Sequence, residues 1–544
     1  LIFKHHRNQL FYFLLLVLAW GSLVIQCSPN QSHDMKINRE ELVRRHNPSV
    51  TEFDSLSSFT VGNGNFAFTV DATGLQTFRE HYEAGIPLGT QSNWGWHSFP
   101  DTLNARLSDA FEYADTYGRD VPYASDTQSD EASWLRSNPH RLHLGQIGFA
   151  FVDENGQEIT RNQIEGIHQS LDMWSGQVNS IFQVDETQVE VVTAAHPELD
   201  LIAASVQTEL IQRGQIELKF VFPYGSSSWG KQTGDWNSPD KHTSTVVSRS
   251  PNSATIERIL DTTRNYVTVR WNGNAEFSER TDHHFHLRPG NSPTFEFGVY
   301  FSETTPEDSL PDADATIQAA ANVWQQHWEN GGAIDLSAST APEAAELERR
   351  IILSQYLTRV QGAGTLPPQE TGLTCNSWHG KFHLEMHWWH GVHHLLWGRP
   401  ELFERSLDWY IHALPQAQAK AERQGYDGAR WPKMVGPDGR ESPSGVGVFL
   451  IWQQPHPLYY LDLLYSITGN NALLEKYQNV VFETARFMAD YAHWNASSEQ
   501  YDLVPPLIPA QEIYPPDSTK NPAFELSYWR YGLEIAQRWR ERLG

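Results

Sequence analysis

Near residue 305 the spacing of the apolar residues changes from every second position to a helical repeat, and this one switch divides the chain into a strand-built part and a helix-built part. From about 50 to 302 the chain runs in short alternating segments separated by turn signals. Examples are QVEVVT (188–193), IELKFVF (216–222), YVTVRW (266–271) and TFEFGVYF (294–301). Such β-branched and aromatic alternation predicts an antiparallel β-sandwich of many strands over 45–303. Gly62-Asn63-Gly64-Asn65 lies between apolar stretches and predicts a tight turn near its start. After SETTPEDSLPDADAT the period is helical, with one short helix at 315–329 inside a linker over 304–340. Thr340-Ala341-Pro342-Glu343 reads as a capping box with an early proline, opening a helical domain over 341–544. Further helices are predicted at 401–414, 457–468, 471–491 and 524–543, about seven in all. Phe403, Leu407, Tyr410, Ile411 and Leu414 share one helical face, and Gly469 is placed to stop the helix before it.

Composition narrows the partners. Lys plus Arg number 40 and Asp plus Glu 66, a formal net charge of −26 that disfavours nucleic acid and anionic lipid surfaces. Twenty Trp, 20 Tyr and 26 Phe supply flat rings of the kind that wall sugar sites, although most rings of any protein are core. Cys27 and Cys375 are the only cysteines, so a disulfide framework is excluded. No nucleotide-binding loop or other cofactor motif is present. Lys4 to Arg7 are basic, Leu10 to Ile25 apolar, and CSPNQSHD follows, the layout of an export signal over 1–27. The segment LVIQC resembles a bacterial lipoprotein cleavage box in which Cys27 receives the lipid, although Gln26 replaces the usual small residue; the alternative is a simple cleaved signal. Either way the expectation is an exported protein of the periplasm or outer membrane, held there by a lipid anchor in the first reading.

Three segments of the helical part carry candidate chemistry. GLTCNSWHGKFHLEMHWWHGVHHLLWG (372–398) combines six histidines, one acid and four tryptophans. His383, His387, His390 and His394 could line one helical face and hold a metal. HLEMH is not the zinc-protease pattern, because its Glu is two residues after the first His. The other reading makes Glu385 an acceptor for sugar hydroxyls, with Trp378, Trp388 or Trp389 stacking on a ring. In the second segment, 425–465, Glu441 and His456 are polar residues in aromatic, Gly/Pro-rich surroundings, as in a pocket lining or as a solvated loop Glu and a satisfied His. In the third, 508–529, Glu512 lies between apolar stretches in a Pro-rich loop. Partial burial there would raise its pKa and keep a proton available, while Glu525 on the next helix either supports the site or makes a salt bridge.

The order of these motifs resembles glycoside hydrolase family 65 and its clan of six-hairpin glycosidases. FTVGNGNFAFTV stands where that family has an early GNGYLG-like turn, and GKFHLEMH, with Lys381, fills the place of its GHIFWDTE-like run, so that Glu385 takes the substrate-binding Asp position. GYDGARWPKMVGPDGRES looks like the GARYPW…DG.E segment and carries Glu441; QQPHP supplies the following His456. QEIYPPDSTKNPAF resembles DEYH…NNAYTN, placing Glu512 at the general acid and Asn521 at its first Asn.

The resemblance implies an (α/α)6 barrel behind the β-sandwich and an inverting cleavage of α-linked glucosides or similar oligosaccharides. Glu512 would protonate the glycosidic oxygen while a water, or in phosphorylases inorganic phosphate, attacks from the opposite face. In the family the base and the phosphate loop follow the acid, beyond Gly544, and a ring of paired helices needs more chain, so the expectation is a fragment and no base is named. Export favours hydrolysis, because a sugar phosphate made outside the cell is not retained. The alternatives are a disaccharide phosphorylase and a surface carbohydrate-binding lipoprotein without catalysis. A polysaccharide lyase on a similar barrel is a third, and the scarcity of Arg and Lys in these motifs disfavours it. Labelling cells with palmitate tests the anchor: the expected result is label on Cys27, and its absence would remove the lipoprotein reading.

Overall fold

Alternating burial builds the first half of the molecule. A computed structural model describes residues 36–306 and 309–544, so the export signal and Cys27 lie outside the described residues. Nine strands form one antiparallel sheet in the order Ser49–Val50, Ile164–Asp172, Gln177–Val184, Thr187–Ala195, Leu201–Gln207, Thr294–Ser302, Thr263–Trp271, Ser253–Leu260 and His242–Ser250. Four more, Ala275–Thr281, His284–Pro289, Ile216–Val221 and Gln146–Phe151, form a second. Ile256, Val267 and Phe297 of the larger sheet and Phe149, Leu218 and Leu287 of the smaller belong to one buried core. Three of the four segments read above as strands lie wholly in a strand, and the fourth, 216–222, overshoots its strand by Phe222 alone.

The Gly62–Asn65 turn joins strands Phe59–Gly62 and Phe66–Val70. Asn63 Oδ1 accepts the backbone N–H of Asn65 and of Phe66, each at 2.9 Å. A Cβ on Gly64, at φ +94°, would come within 2.5 Å of the Ala363 backbone. The turn therefore docks on the end of a helix of the other half, where Asn65 Oδ1 also accepts the Thr365 N–H at 2.8 Å.

Seven helices occur from residue 313 onward among the described residues: Ala313–Glu329, Ala344–Gly362, His387–Leu396, Pro400–Arg423, His456–Thr468, Ala472–Tyr491 and Ala523–Leu543. Three details differ from the sequence reading. The capping box does not form: Glu343 is the cap of the helix opening at Ala344 and makes no side-chain cap bond. The helix predicted to stop at 414 runs on to Arg423 through Pro415, because the apolar face continues with Ala417 and Ala421, both buried. The helix assigned to a linker, Ala313–Glu329, buries Trp324 and Trp328 in the core of the sheets. Gly469 ends its helix as expected, at φ +61°.

No described helix is long and apolar enough to cross a membrane. A second core, centred on Phe403, Leu407, Tyr410, Trp431, Tyr460, Tyr477 and Trp539, unites the later helices. Gly391 lets helix His387–Leu396 approach Pro400–Arg423, since a Cβ there would sit 2.1 Å from Phe403 Cε2. Gly391→Ala would gain about 1 kcal/mol of helix propensity and lose about 1–3 kcal/mol to overpacking. The net expectation is a lower urea midpoint, and an unchanged or raised one would contradict this packing.

Candidate active site

A short cross-chain pairing places the central carboxylate. Phe382 and His383 pair antiparallel with Val435 and Met434, and the Leu384 N–H bonds to the Lys433 carbonyl at 2.9 Å. Lys433 is thereby set beside Glu385, with its Nζ 3.0 Å from Glu385 Oε1. Glu385 is 4% exposed. His383 Nδ1 lies 3.5 Å from the same oxygen and 3.9 Å from Glu370 Oε2. Burial pushes the Glu385 carboxyl up, but His383 and Lys433 outweigh it and hold the pKa below the ordinary value. Glu385 Oε2 and both ring nitrogens of His383 are buried without a hydrogen-bond partner in the protein. Buried polar atoms are seldom left so, and this pair is well suited to a ligand rich in hydroxyls.

Trp378 closes one side. Its indole N–H donates to Glu370 Oε2 at 2.6 Å, Lys433 Nζ sits 5.1 Å from the ring centroid, and His383 packs on it at 5.4 Å. Trp378, His379 and Gly380 all have positive φ (50°, 59° and 80°), a left-handed turn that costs two bulky residues about 1–3 kcal/mol each. Opposite, His456 Nε2–H donates to the Glu385 carbonyl at 3.2 Å, which leaves Nδ1 to accept from the Tyr528 hydroxyl at 2.8 Å. Burial lowers the His456 pKa to about 4, so it is the neutral imidazole that holds this backbone. Trp452 packs edge-on to His456.

Glu512 reaches the cluster through Lys433, 4.0 Å away. It is more open than the sequence reading expected: its side chain is 42% exposed, on a loop where its own φ is +57°. The buried acid of this segment is Glu525, whose Oε1 accepts the Ala510 N–H at 2.7 Å and whose pKa is raised by burial. Glu525 thus pins the loop just before Glu512.

The remaining sequence candidates stand apart from this cluster. Glu441 is 5% exposed and its carboxylate is taken up by Lys420 and by Arg423 at 3.5 Å, so it is a buried ion pair and not a free sugar acceptor. Lys381 is fully buried and donates to the Asn138 carbonyl at 2.8 Å, tying the two halves. Asn521 closes its own loop through Asp502 and Leu503, both at 2.7 Å. Trp388 stacks on Tyr459 and meets Trp389, which is exposed.

The helical histidines do not converge either. His387 bonds to Tyr410 and Ser406, and His390 to the Glu370 carbonyl. Among the described residues no group of three or more His, Cys, Asp or Glu could hold a metal. Lys433, Glu370, Tyr528 and Trp452 were missed. Lys433 lay within a quoted motif, but its partner is 48 positions away in the sequence (433 against 385) and is met only through strand pairing.

A curated 1,2-α-glucosylglycerol phosphorylase of Bacillus selenitireducens is 26% identical over 159 residues, covering 26% of this chain and 20% of that protein. A protein of the human microbiome assigned as a kojibiose phosphorylase has a solved structure that matches 90% of this chain and 65% of its own, with TM-score 0.65 and 12% identity. The chain thus shares a stretch of sequence with one sugar phosphorylase and its fold with a protein assigned as another. A bacterial glucoamylase solved with acarbose matches at TM-score 0.48, 10% identity, over 91% of this chain and 67% of its own. No protein-family profile matches the chain. It spans less than two thirds of the length of the phosphorylases it matches. The chain carries a mixed β and α fold like that of the kojibiose-phosphorylase structure.

Lys433→Met would leave Glu385 buried beside His383 alone. Because the folded pKa of Glu385 lies below its unfolded value of 4.5, its pairing stabilises the fold above that pH and is lost as the pH falls through the folded value. The variant should be less stable than the wild type by about 3 kcal/mol at pH 7. The gap should narrow as the pH drops below 4.5. Urea titrations at both ends check this, and a gap independent of pH would contradict it.

Proposed function

We propose that this chain is the sandwich and part of the (α/α)6 barrel of an exported, inverting glycosidase that cleaves α-linked glucosides, with Glu512 as general acid. In this reading 45–303 is the sandwich, 304–340 the connection and 341–544 the barrel portion, delivered by the signal over 1–27 and held through Cys27. One observation carries the reading: a buried carboxylate with an unused oxygen, Glu385, shares Lys433 both with the Trp378 indole and with a solvent-facing acid, Glu512, on a loop at positive φ. Glu385 and His383 would hold the hydroxyls of the sugar being cleaved. Glu512, at the open side, would meet the oxygen between that sugar and its leaving group.

Phosphorolysis is the second reading, favoured by the two phosphorylases among the relatives. It shares the acid and differs only in the nucleophile. Glu512→Gln tests both: turnover of a natural disaccharide should fall by about 10²- to 10⁴-fold. A nitrophenyl glucoside, whose leaving group needs no proton, should lose far less. Near-normal disaccharide turnover would remove Glu512 from the mechanism.

A further inference from the structure

Trp229 belongs to the sheet half of the chain, yet it is found at the wall of the candidate site. Gly230 and Lys231 pair antiparallel with Ser377 and Asn376, the residues just before Trp378. The His379 N–H donates to the Trp229 carbonyl at 3.1 Å. These bonds clamp a loop of the first half onto the left-handed Trp378–Gly380 turn. They set the two indoles together, with ring centroids 4.5 Å apart and planes 57° apart. Trp378 is occupied on its inner side by Glu370, His383 and Lys433. Trp229 remains 50% exposed.

A half-exposed tryptophan held by its own backbone bond to His379 and by the strand pairing next to it, at the edge of a polar site, has a reason beyond packing. Packing would bury it, and a solvated loop would not order it. We infer that Trp229 is a carbohydrate-contact residue supplied by the first half of the chain, forming with Trp378 an aromatic shelf for the second pyranose ring of an oligosaccharide, on the leaving-group side. This rests on the reading that the site cleaves glucosides. The depth order supports the side: His383 and Glu385 are buried at 0% and 4%, whereas Glu512 and Trp229 face solvent at 42% and 50%. The ring held by Glu385 is therefore the inner one, and a ring bonded to it through the oxygen facing Glu512 emerges toward the rim. Pyranose C–H faces stack on an indole without needing a fixed hydroxyl pattern, so the shelf selects for a second sugar ring and tolerates its identity. A glycerol-sized leaving group would be too small to gain from it.

The test uses the full chain carrying Glu512→Gln, so that bound sugar is not consumed, and titrates glucose, kojibiose and kojitriose by calorimetry. In that background Trp229→Ala should weaken kojibiose and kojitriose binding by about tenfold and leave glucose unchanged. Trp229→Phe should restore most of the loss. The half-exposed position makes a folding failure of either variant visible as a loss of glucose binding too, and the Phe variant then carries the test. Kojibiose binding that is unaffected by both substitutions would overturn the shelf and leave the glucoside site standing. If the Trp229-intact chain binds none of the three sugars, the glucoside reading itself fails, and the shelf with it.

Discussion

The pairing of Glu385 with Lys433 is the contact on which the site is built. Taking an isolated carboxylate out of water costs several kcal/mol, and only a close cation with satisfied geometry offsets it. Lys433 meets that condition at 3.0 Å because two-residue strands at Phe382–His383 and Met434–Val435 pair directly beside it. With the charge secured, the rest of the cluster has a fixed centre. His456 holds the Glu385 backbone, Glu370 orients Trp378, and His383 turns Nδ1 toward Glu385 and leaves Nε2 without a protein partner. A neutral residue at 433 would make Glu385 the most costly group in the region.

The two halves of the molecule are not independent supports. The Gly62–Asn65 turn of the sheets seats on Ala363, and Lys381 bonds to Asn138. The 230–231 strand runs beside Asn376–Ser377. The last two cross from sheets to helices within or beside the Trp378–Glu385 passage. The sheet half therefore fixes the wall of a site whose chemical groups all come from the helical half.

Much of this was legible in the sequence. Alternation located the strands because each has one face in the shared core, and Phe403, Leu407 and Tyr410 marked a buried helical face that the structure bears out. Local rules failed where tertiary contacts overrode them: Pro415 did not stop its helix, since the apolar stripe beyond it is buried against the second core, and Thr340 did not cap. In the site, the segment around Glu385 was visible as an accumulation of His and Trp, and its acid proved central. Glu441 looked the same by its surroundings, yet its partner Lys420 lies one helix earlier and neutralises it. Whether a polar residue in an aromatic context is a ligand or half of an ion pair depends on a partner distant in sequence. Lys433 and Trp229 escaped for the same reason, since both act through strand pairings only two residues long.

The proposal that this site cleaves α-glucosides with inversion is tested most directly by proton NMR of the reaction with kojibiose in phosphate-free buffer, read before the anomers equilibrate. The account predicts β-glucose as the first-formed product of the cleaved ring. First-formed α-glucose, or no cleavage with or without added phosphate, would contradict it.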